Sequence, residues 1–403
     1  MRWPADPAGH NTGSMTDGLV LRTARPDDLD AISALLTDRG AAADAVDHRL
    51  VVEDPEVGWD ACAVVVDGDR VVSTATLFDE TLVLDGVPIP AGQVELVATD
   101  RAYEGRGLVR RLMDWAHDRS ARRGHLAQLM LGIPYFYRQF GYTYALPIAA
   151  VRPVRDKPDA NGHTIRVATP ADIPAAARLQ DAAQAGADLS MPHSPALRRW
   201  LLDRDGSTVW VVERAGAVVA TGRTTPPEEG NRLAEVAADD EAAAHALLAL
   251  TGATEVSERP GTVAGDALEP LLHPGPEEIR GYYVRVPDTF ALFAHLKPVF
   301  DRRLAGLGRA DGEALISFFR EHLRLPFREG ALGTPLKGGR MQGPYDLGGA
   351  GVAPDQVASL LFGPHGIRGL ARIFPDVYPG PDRELMYALF PPVRADILTF
   401  YLP

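Results

Sequence analysis

The run from Val97 to Leu112 closes an apolar, strand-like stretch, turns on Gly105 and Gly107, and enters a helical pattern flanked by Arg106, Arg110 and Arg111. Successive amides at such a turn converge on one point and the helix dipole adds to their field, so the run can hold a phosphate or pyrophosphate. It is not a Walker A loop, because no Gly-Lys-Ser/Thr ending follows, and it lacks the glycine spacing of a dinucleotide fingerprint. Strand-to-helix turns with glycine also occur without a ligand, and these residues alone leave both readings open. Cys62 falls in a strand pattern and no Gly-x-Ser-x-Gly elbow occurs, so Cys62 reads as buried filler rather than a nucleophile. The eleven histidines are scattered with no pair at metal-ligand spacing. His117 and His125 flank a helix, as solvated side chains or partners of its C-terminal end. A single cysteine permits neither an internal disulfide nor a cysteine zinc cage, and no metal is expected.

A chain of 403 residues implies two or three domains at about 150 residues each. Its 46% hydrophobic and 24% charged content is that of an ordinary globular protein. The net charge of −13 argues against coating nucleic acid or an anionic membrane and favours small cationic partners. Met1 to Gly18 carries no apolar signal region and no stretch reaches membrane-spanning length, so a cytoplasmic protein is expected. Val20 to Leu29 joins a strand to a helix, with Leu29, Ile32, Leu35 and Leu36 on one face. Cys62–Val66 and Val71–Phe78 read as a hairpin, and a turn at Asp85-Gly86 leads to Val94–Thr99. A helix from about Leu108 to Arg123 and a strand over Leu126–Leu131 complete a mixed α/β layer domain.

The opening then returns. Arg166, Ala168, Pro170 and Asp172 repeat Arg22, Ala24, Pro26 and Asp28, and Val211–Thr221 mirrors Val64–Thr74, which indicates a duplicated module. The second copy replaces the glycine turn with Val236-Ala237-Ala238-Asp239-Asp240-Glu241, whose three acids should not hold a pyrophosphate. From about Gly281 the texture changes, with an amphipathic helix carrying Phe290, Phe293, Leu296, Phe300 and Leu304, a glycine-rich stretch, and an apolar helix from Asp355 to Phe362. The apolar, aromatic end at Leu398–Pro403 is expected to be packed.

Glu104-Gly105-Arg106-Gly107-Leu108-Val109 resembles the Arg/Gln-x-x-Gly-x-Gly/Ala motif of the GNAT superfamily of N-acetyltransferases. Gly107 agrees, while Glu104 and Val109 depart. A carboxylate about 4 Å from a phosphate costs on the order of 1 kcal/mol in water, so Glu104 is expected to point away. The resemblance implies that Val97, Ala98, Thr99, Gly105, Arg106, Gly107, Leu108, Val109 and Arg110 bind acetyl-CoA, the strand near Val97 and Thr99 pairing with its pantetheine arm. It also implies that Tyr137, four residues before Gly141, protonates the departing thiolate; by its type alone Tyr137 could equally be a core aromatic.

Tyr137-Arg138-Gln139-Phe140-Gly141-Tyr142 further resembles the Tyr-x-x-Phe-Gly-Tyr of the enhanced intracellular survival (Eis-like) acetyltransferases, and Val357–Phe374 resembles their helix, glycine turn and strand. The resemblance implies an α/β (α+β) fold of tandem GNAT modules. A catalytic module spans 18–151, a degenerate one 163–280, and a sterol carrier protein-like α+β domain 281–403. It implies direct acetyl transfer to an amine of a small molecule, the C-terminal carboxylate of Pro403 as base, and a homo-oligomer, hexameric in the best-known members. Asp27, Asp28 or Asp30 acting through water is the alternative base, although these acids also suit a helix cap. An inactive acetyltransferase half, with the C-terminal domain binding lipid or protein, is the competing reading.

Overall fold

The computed structural model describes residues 18–276 and 280–401. The chain opens with β1 (Leu19–Thr23), α1 (Leu29–Arg39), α2 (Ala42–Val52), β2 (Cys62–Asp67), β3 (Arg70–Leu84) and β4 (Val87–Thr99). Asp85 and Gly86, both at positive φ (46° and 78°), form the two-residue turn that matches the twist of the long β3–β4 hairpin. The glycine turn then leads to α3 (Leu108–Arg122), β5 (Ala127–Met130) and β6 (Thr143–Pro147). The middle of the chain forms β7 (Val151–Pro153), β8 (Thr164–Val167), α4 (Ile173–Gln184), β9 (Leu189–Met191) and α5 (Pro195–Asp203). It continues with β10 (Thr208–Arg214), β11 (Ala217–Thr224), β12 (Arg232–Ala238), α6 (Glu241–Thr251), β13 (Glu255–Ser257) and α7 (Val263–Leu268). After β14 (Gly281–Arg285) come α8 (Thr289–His295), α9 (Lys297–Leu307), β15 (Gly312–Ser317), β16 (His322–Arg328), β17 (Ala331–Leu332), β18 (Leu336–Gly338) and β19 (Ala350–Gly351). The last elements are α10 (Val357–Phe362), α11 (Gly366–Ile373), α12 (Arg383–Leu389) and β20 (Ala395–Ile397).

Three sheets organise these elements into a mixed α/β structure. The first has the order β1-β2-β3-β4-β5-β14-β6, with β9 added to β3 and β20 to β9. The second runs β8-β10-β11-β12-β13-β7, and the third β17-β16-β15-β19 with β18 on β16. The first two begin alike. The Arg22 guanidinium clamps both oxygens of Asp28 at 2.6 and 2.7 Å, and Asp28 also accepts from the Arg25 amide at 2.7 Å. Arg166, Asp172 and the Thr169 amide reproduce this at 2.6, 2.7 and 2.7 Å. Each buried carboxylate thus ties a strand to the start of the following helix.

The first sheet is not built from contiguous chain, and the second takes in the strand that leaves the first. The place beside β5 is filled by β14, which arrives after the whole second sheet, and the corresponding place beside β13 is filled by β7, which directly follows β6. The largest apolar cluster joins Leu82, Ile89 and Leu129 of the first sheet to Phe293, Phe300, Phe318, Leu361 and Phe390 of the C-terminal third. A separate cluster packs the second sheet on α6 and α7. The segment Val357–Phe374, expected to end in a strand after its glycine turn, ends in the helix α11 instead. Ile367 and Leu370 are three residues apart, both buried, with Arg368 and Arg372 outside, which is a helical rather than an alternating pattern. The amphipathic stretch after Asp288 is broken into α8 and α9 at Leu296, ahead of Pro298. Among the described residues no helix is long and apolar enough to cross a membrane.

Candidate active site

β4 and β5 are parallel neighbours only from Ala91 to Gln93, paired with Ala127 to Leu129; beyond Gln93 they part. The cause lies within β4. Leu96 adopts φ 53° and the register against β3 slips between Thr74 and Thr76, a bulge that bends the strand away. Val97, Ala98 and Thr99 therefore present the β5 side of their backbone to a groove.

At its end the strand meets the glycine turn. Asp100 accepts from the Ala102 amide at 2.8 Å, Gly105 and Gly107 take φ 74° and 76°, and Gly107 caps α3. A Cβ at either glycine would touch nothing within 4 Å, so backbone conformation and not crowding calls for glycine here. Leu108 is buried against Ala63 and Val72 and anchors the first turn of α3, whose amides, Val109 and Arg110 among them, have no partner within the helix. The Arg106 guanidinium lies 4.6 Å over the Tyr103 ring, and Arg110 donates to Gln139 at 2.8 Å. All nine residues assigned to donor binding thus lie along one path. Glu104 pairs with Arg39 at the end of α1, away from this path.

Tyr137 lies in the 3-10 turn Phe136–Phe140 after β5, closed by Gly141 at φ 85°. Its ring presses on Gly132, where a Cβ would come within 2.3 Å of Cε2, and packs against Phe136 (5.0 Å) and Tyr283 of β14 (5.8 Å). Burial, reinforced by the charge of Glu95, pushes its phenol up to about 12, so it carries its proton at neutral pH.

The face of β3 and β4 opposite α3 bears Thr76, Phe78, Glu80, Gln93 and Glu95 in register. The C-terminal segment lies across it. Phe400 meets the rings of Phe78 (6.2 Å) and Trp200 (5.8 Å), Tyr401 stacks on Phe78 (6.5 Å), and Thr399 accepts from Gln93 at 3.2 Å. Gln93 also donates to Glu95 at 2.6 Å. Burial pushes Glu95 up to about 8 against the hydrogen bonds from Gln93 and the Leu131 amide. Glu80 is pushed up to about 8 by burial and by the charges of Asp79 and Glu95, and Asp47 up to about 7 by burial, despite Arg204 at 3.2 Å. Both Glu80 oxygens, Gln93 Oε1, Asp47 Oδ1 and Tyr401 Oη are buried without a protein partner. Buried polar atoms are normally satisfied, so the oxygens of Glu80, Gln93 and Asp47 suit a donor-rich group such as an ammonium.

Glu95, Glu80 and Asp47 were not among the residues singled out from sequence. The available signal was a carboxylate inside the apolar run Val94-Glu95-Leu96. Pro403 lies outside the described residues. Of the alternative acids, Asp28 is held below the usual carboxylate range by Arg22 and serves as a cap, while Asp27 and Asp30 are exposed. Cys62 is wholly buried, 3.2 Å from His48; burial pushes the thiol up to about 11 and the imidazole down to about 4, so no reactive ion pair forms. His117 lies within α3 rather than beside it, and only His125 follows its end; both are hydrogen-bonded, to Tyr142 at 3.3 Å and to Ser120 at 3.1 Å, rather than solvated. Among the described residues no group of three or more His, Cys, Asp or Glu could hold a metal ion.

Residues 21–145 match the family model described as an acetyltransferase (GNAT) domain. No curated protein matches the chain by sequence. Three solved structures are similar over nearly its full length. A GCN5-related N-acetyltransferase from Kribbella flavida superposes with TM-score 0.64 at 19% identity, covering 95% of this chain and 98% of its own. One from Anabaena variabilis gives 0.65 at 13%, with 94% and 97% covered. Eis1 from Mycobacterium abscessus gives 0.59 at 16%, with 94% and 99% covered. At these identities the likeness is one of fold.

Proposed function

We propose that this chain, an acyltransferase whose residues 21–145 belong to the GNAT acetyltransferases, transfers an acetyl group from acetyl-CoA directly to a primary amine of a small cationic acceptor. The parting of β4 from β5 at the Leu96 bulge, immediately before the glycine turn, carries this reading. The amides from Gly105 to Arg110 would hold the pyrophosphate and the free edge of Val97–Thr99 the pantetheine arm. Acetyl-CoA supplies the activated acetyl thioester.

The chain's own groups handle the protons. An alkylammonium with a pKa near 10.4 is neutral in only about 10^−3.4 of molecules at pH 7, a cost of roughly 4–5 kcal/mol. Glu95, next to the groove and pushed up to about 8, is matched to accept that proton. The terminal carboxylate of Pro403 is the second candidate base, supported by the Eis-like resemblance and by the burial of Phe400 at the groove. Tyr137, on the other wall, donates to the leaving sulfur, and Tyr283 and Gly132 keep its ring in place.

In this reading 18–151 is the catalytic module, 163–280 a degenerate GNAT-like copy and 281–403 a sterol carrier protein-like domain, with β7, at the junction of the first two, completing the second sheet and β14, which opens the third, completing the first. The degeneracy rests on the acids after β12: Asp240 caps α6 through the Ala243 amide at 2.9 Å, and Asp239 is engaged by Arg178 at 2.7 Å, where the first module has open glycines. The protein is read as a cytoplasmic homo-oligomer, which sedimentation tests. Calorimetry with acetyl-CoA, followed by thiol release against a panel of amines, tests the activity. Micromolar binding with release stimulated by diamines is expected; no binding at millimolar donor overturns it and leaves a non-catalytic lipid- or protein-binding role.

A further inference from the structure

The second module keeps the bulge of the first. β11 and β12 slip register between Thr221 and Arg223, and Glu235 adopts φ 54° there, as Leu96 does in β4. In the first module the backbone at this bulge borders the donor groove. In the second it is covered by side chains: the Glu235 carbonyl accepts from Gln180 at 2.6 Å and the Val236 carbonyl from Arg259 at 3.0 Å.

The same groups reach the C-terminal segment. Arg223, 2% exposed, holds both oxygens of Glu235 at 2.7 and 2.6 Å and donates to the carbonyls of Thr399 at 2.7 Å and Phe400 at 3.1 Å. His193 holds Glu235 from the other side at 3.0 Å. Arg259 pairs with Asp396 at 2.8 Å, and Gln184 donates to the Asp396 carbonyl at 3.0 Å. Burial alone would push the Glu235 carboxyl up, but Arg223 and His193 hold it well below the usual carboxylate range, so it is an anion at working pH. A buried arginine with a fixed anion on one side and two backbone carbonyls on the other sets the chain's position far more sharply than apolar packing does.

We infer that the bulge of the second module has become a clamp, in which Glu235 fixes Arg223 and Arg223 sets where residues 399–401 lie over Gln93 and Glu95 of the first module. Arg223 is then a positioning residue for acetyl transfer, supplied by the half that binds no donor. The inference rests on the proposed reading in which the C-terminal segment forms part of the acceptor site.

Arg223→Met and Glu235→Gln in the full chain test it, with kcat, acceptor KM, the pH–rate profile and the acetyl-CoA Kd measured well below the melting temperature. Arg223→Met is expected to lower kcat about 10–100-fold, the scale of an ångström-sized misplacement, and to alter the pH–rate profile while the donor Kd stays unchanged. Glu235→Gln, nearly isosteric, should give a smaller loss of the same kind. Arg223→Lys, which keeps the charge but cannot span both partners, should fall between and supplies the readout if Arg223→Met does not fold. A chain lacking residues 399–403 should be impaired, and adding Arg223→Met to it should cost nothing further. Wild-type kcat in Arg223→Lys and Glu235→Gln, with the shortened chain inactive, overturns the clamp and leaves the reading of the site intact. Full turnover of the shortened chain overturns that reading and the clamp with it.

Discussion

Burial raises both Tyr137, to about 12, and Glu95, to about 8, so the phenol keeps its proton while the carboxyl gives its up near working pH. Tyr137→Phe should lower kcat by about 10²–10⁴, the usual worth of general acid catalysis, with acetyl-CoA affinity retained; unchanged kcat removes it as the acid. Gly132→Ala should act on the same group indirectly, since its methyl would collide with the Tyr137 ring, and is expected to reduce kcat without loss of donor binding. If Glu95 is the base, the rate should rise as pH climbs through about 8 and the limb should vanish in Glu95→Gln. A limb that survives the substitution points to the terminal carboxylate. Glu80 gives a stability test with a definite sign. Its ordinary value is 4.5 and burial raises it to about 8, so between these the folded state holds more protons than the unfolded one and stability falls as pH rises. Glu80→Gln should therefore leave Tm nearly unchanged near pH 4 and raise it above pH 8, by an amount on the order of a few kcal/mol in stability; equal Tm at both ends refutes the burial of that charge. Gly107 and Tyr137 were legible in the sequence because a turn and a short spacing leave local marks. Glu80 and Glu95 were not, because their face of the sheet is completed by distant chain, the C-terminal segment reaching Gln93 across 306 residues.

Among the elements, those set by near neighbours were readable and those set by distant pairing were not. The Asp85-Gly86 hairpin, the start of α3 and the repeated Arg–Asp clamp each declare themselves within a few residues. The strands β7 and β14 are three and five residues long and earn their places only through partners elsewhere in the chain. Neither has a periodicity long enough to assign it to a sheet. Their placement has a direct consequence for fragments. Tyr283 and Val284 are 0% and 1% exposed between β5 and β6, so a chain ending at residue 162 would open the first sheet along both of these strands. Such a fragment should fail to show a cooperative urea transition by circular dichroism, despite holding the whole region that matches the GNAT family. A sharp, reversible transition in it would show that β14 is dispensable.

For the whole molecule, the relevant quantity is charge. The chain carries 54 acids against 41 Lys and Arg, and the face of Glu80, Glu95 and Asp47, the acceptor face in the proposed reading, gains its charge only as these buried acids ionise through about pH 7 to 8. Low-dielectric walls focus such a field, which raises the encounter rate of cations before any contact forms. That long-range part is the one salt removes, because the Debye length shrinks from about 30 Å at 0.01 M to about 8 Å at 0.15 M. Buried contacts within the groove are screened much less. The two contributions therefore separate in kinetics. For a diamine or larger polycation, assayed above about pH 8 where these acids are ionised, kcat/KM should fall severalfold over that salt range while kcat holds, and an acceptor with one weakly basic amine should show little change. A polycation whose kcat/KM ignores salt would mean that the acids of this face do not meet the acceptor, and the cationic substrate class would be withdrawn with them.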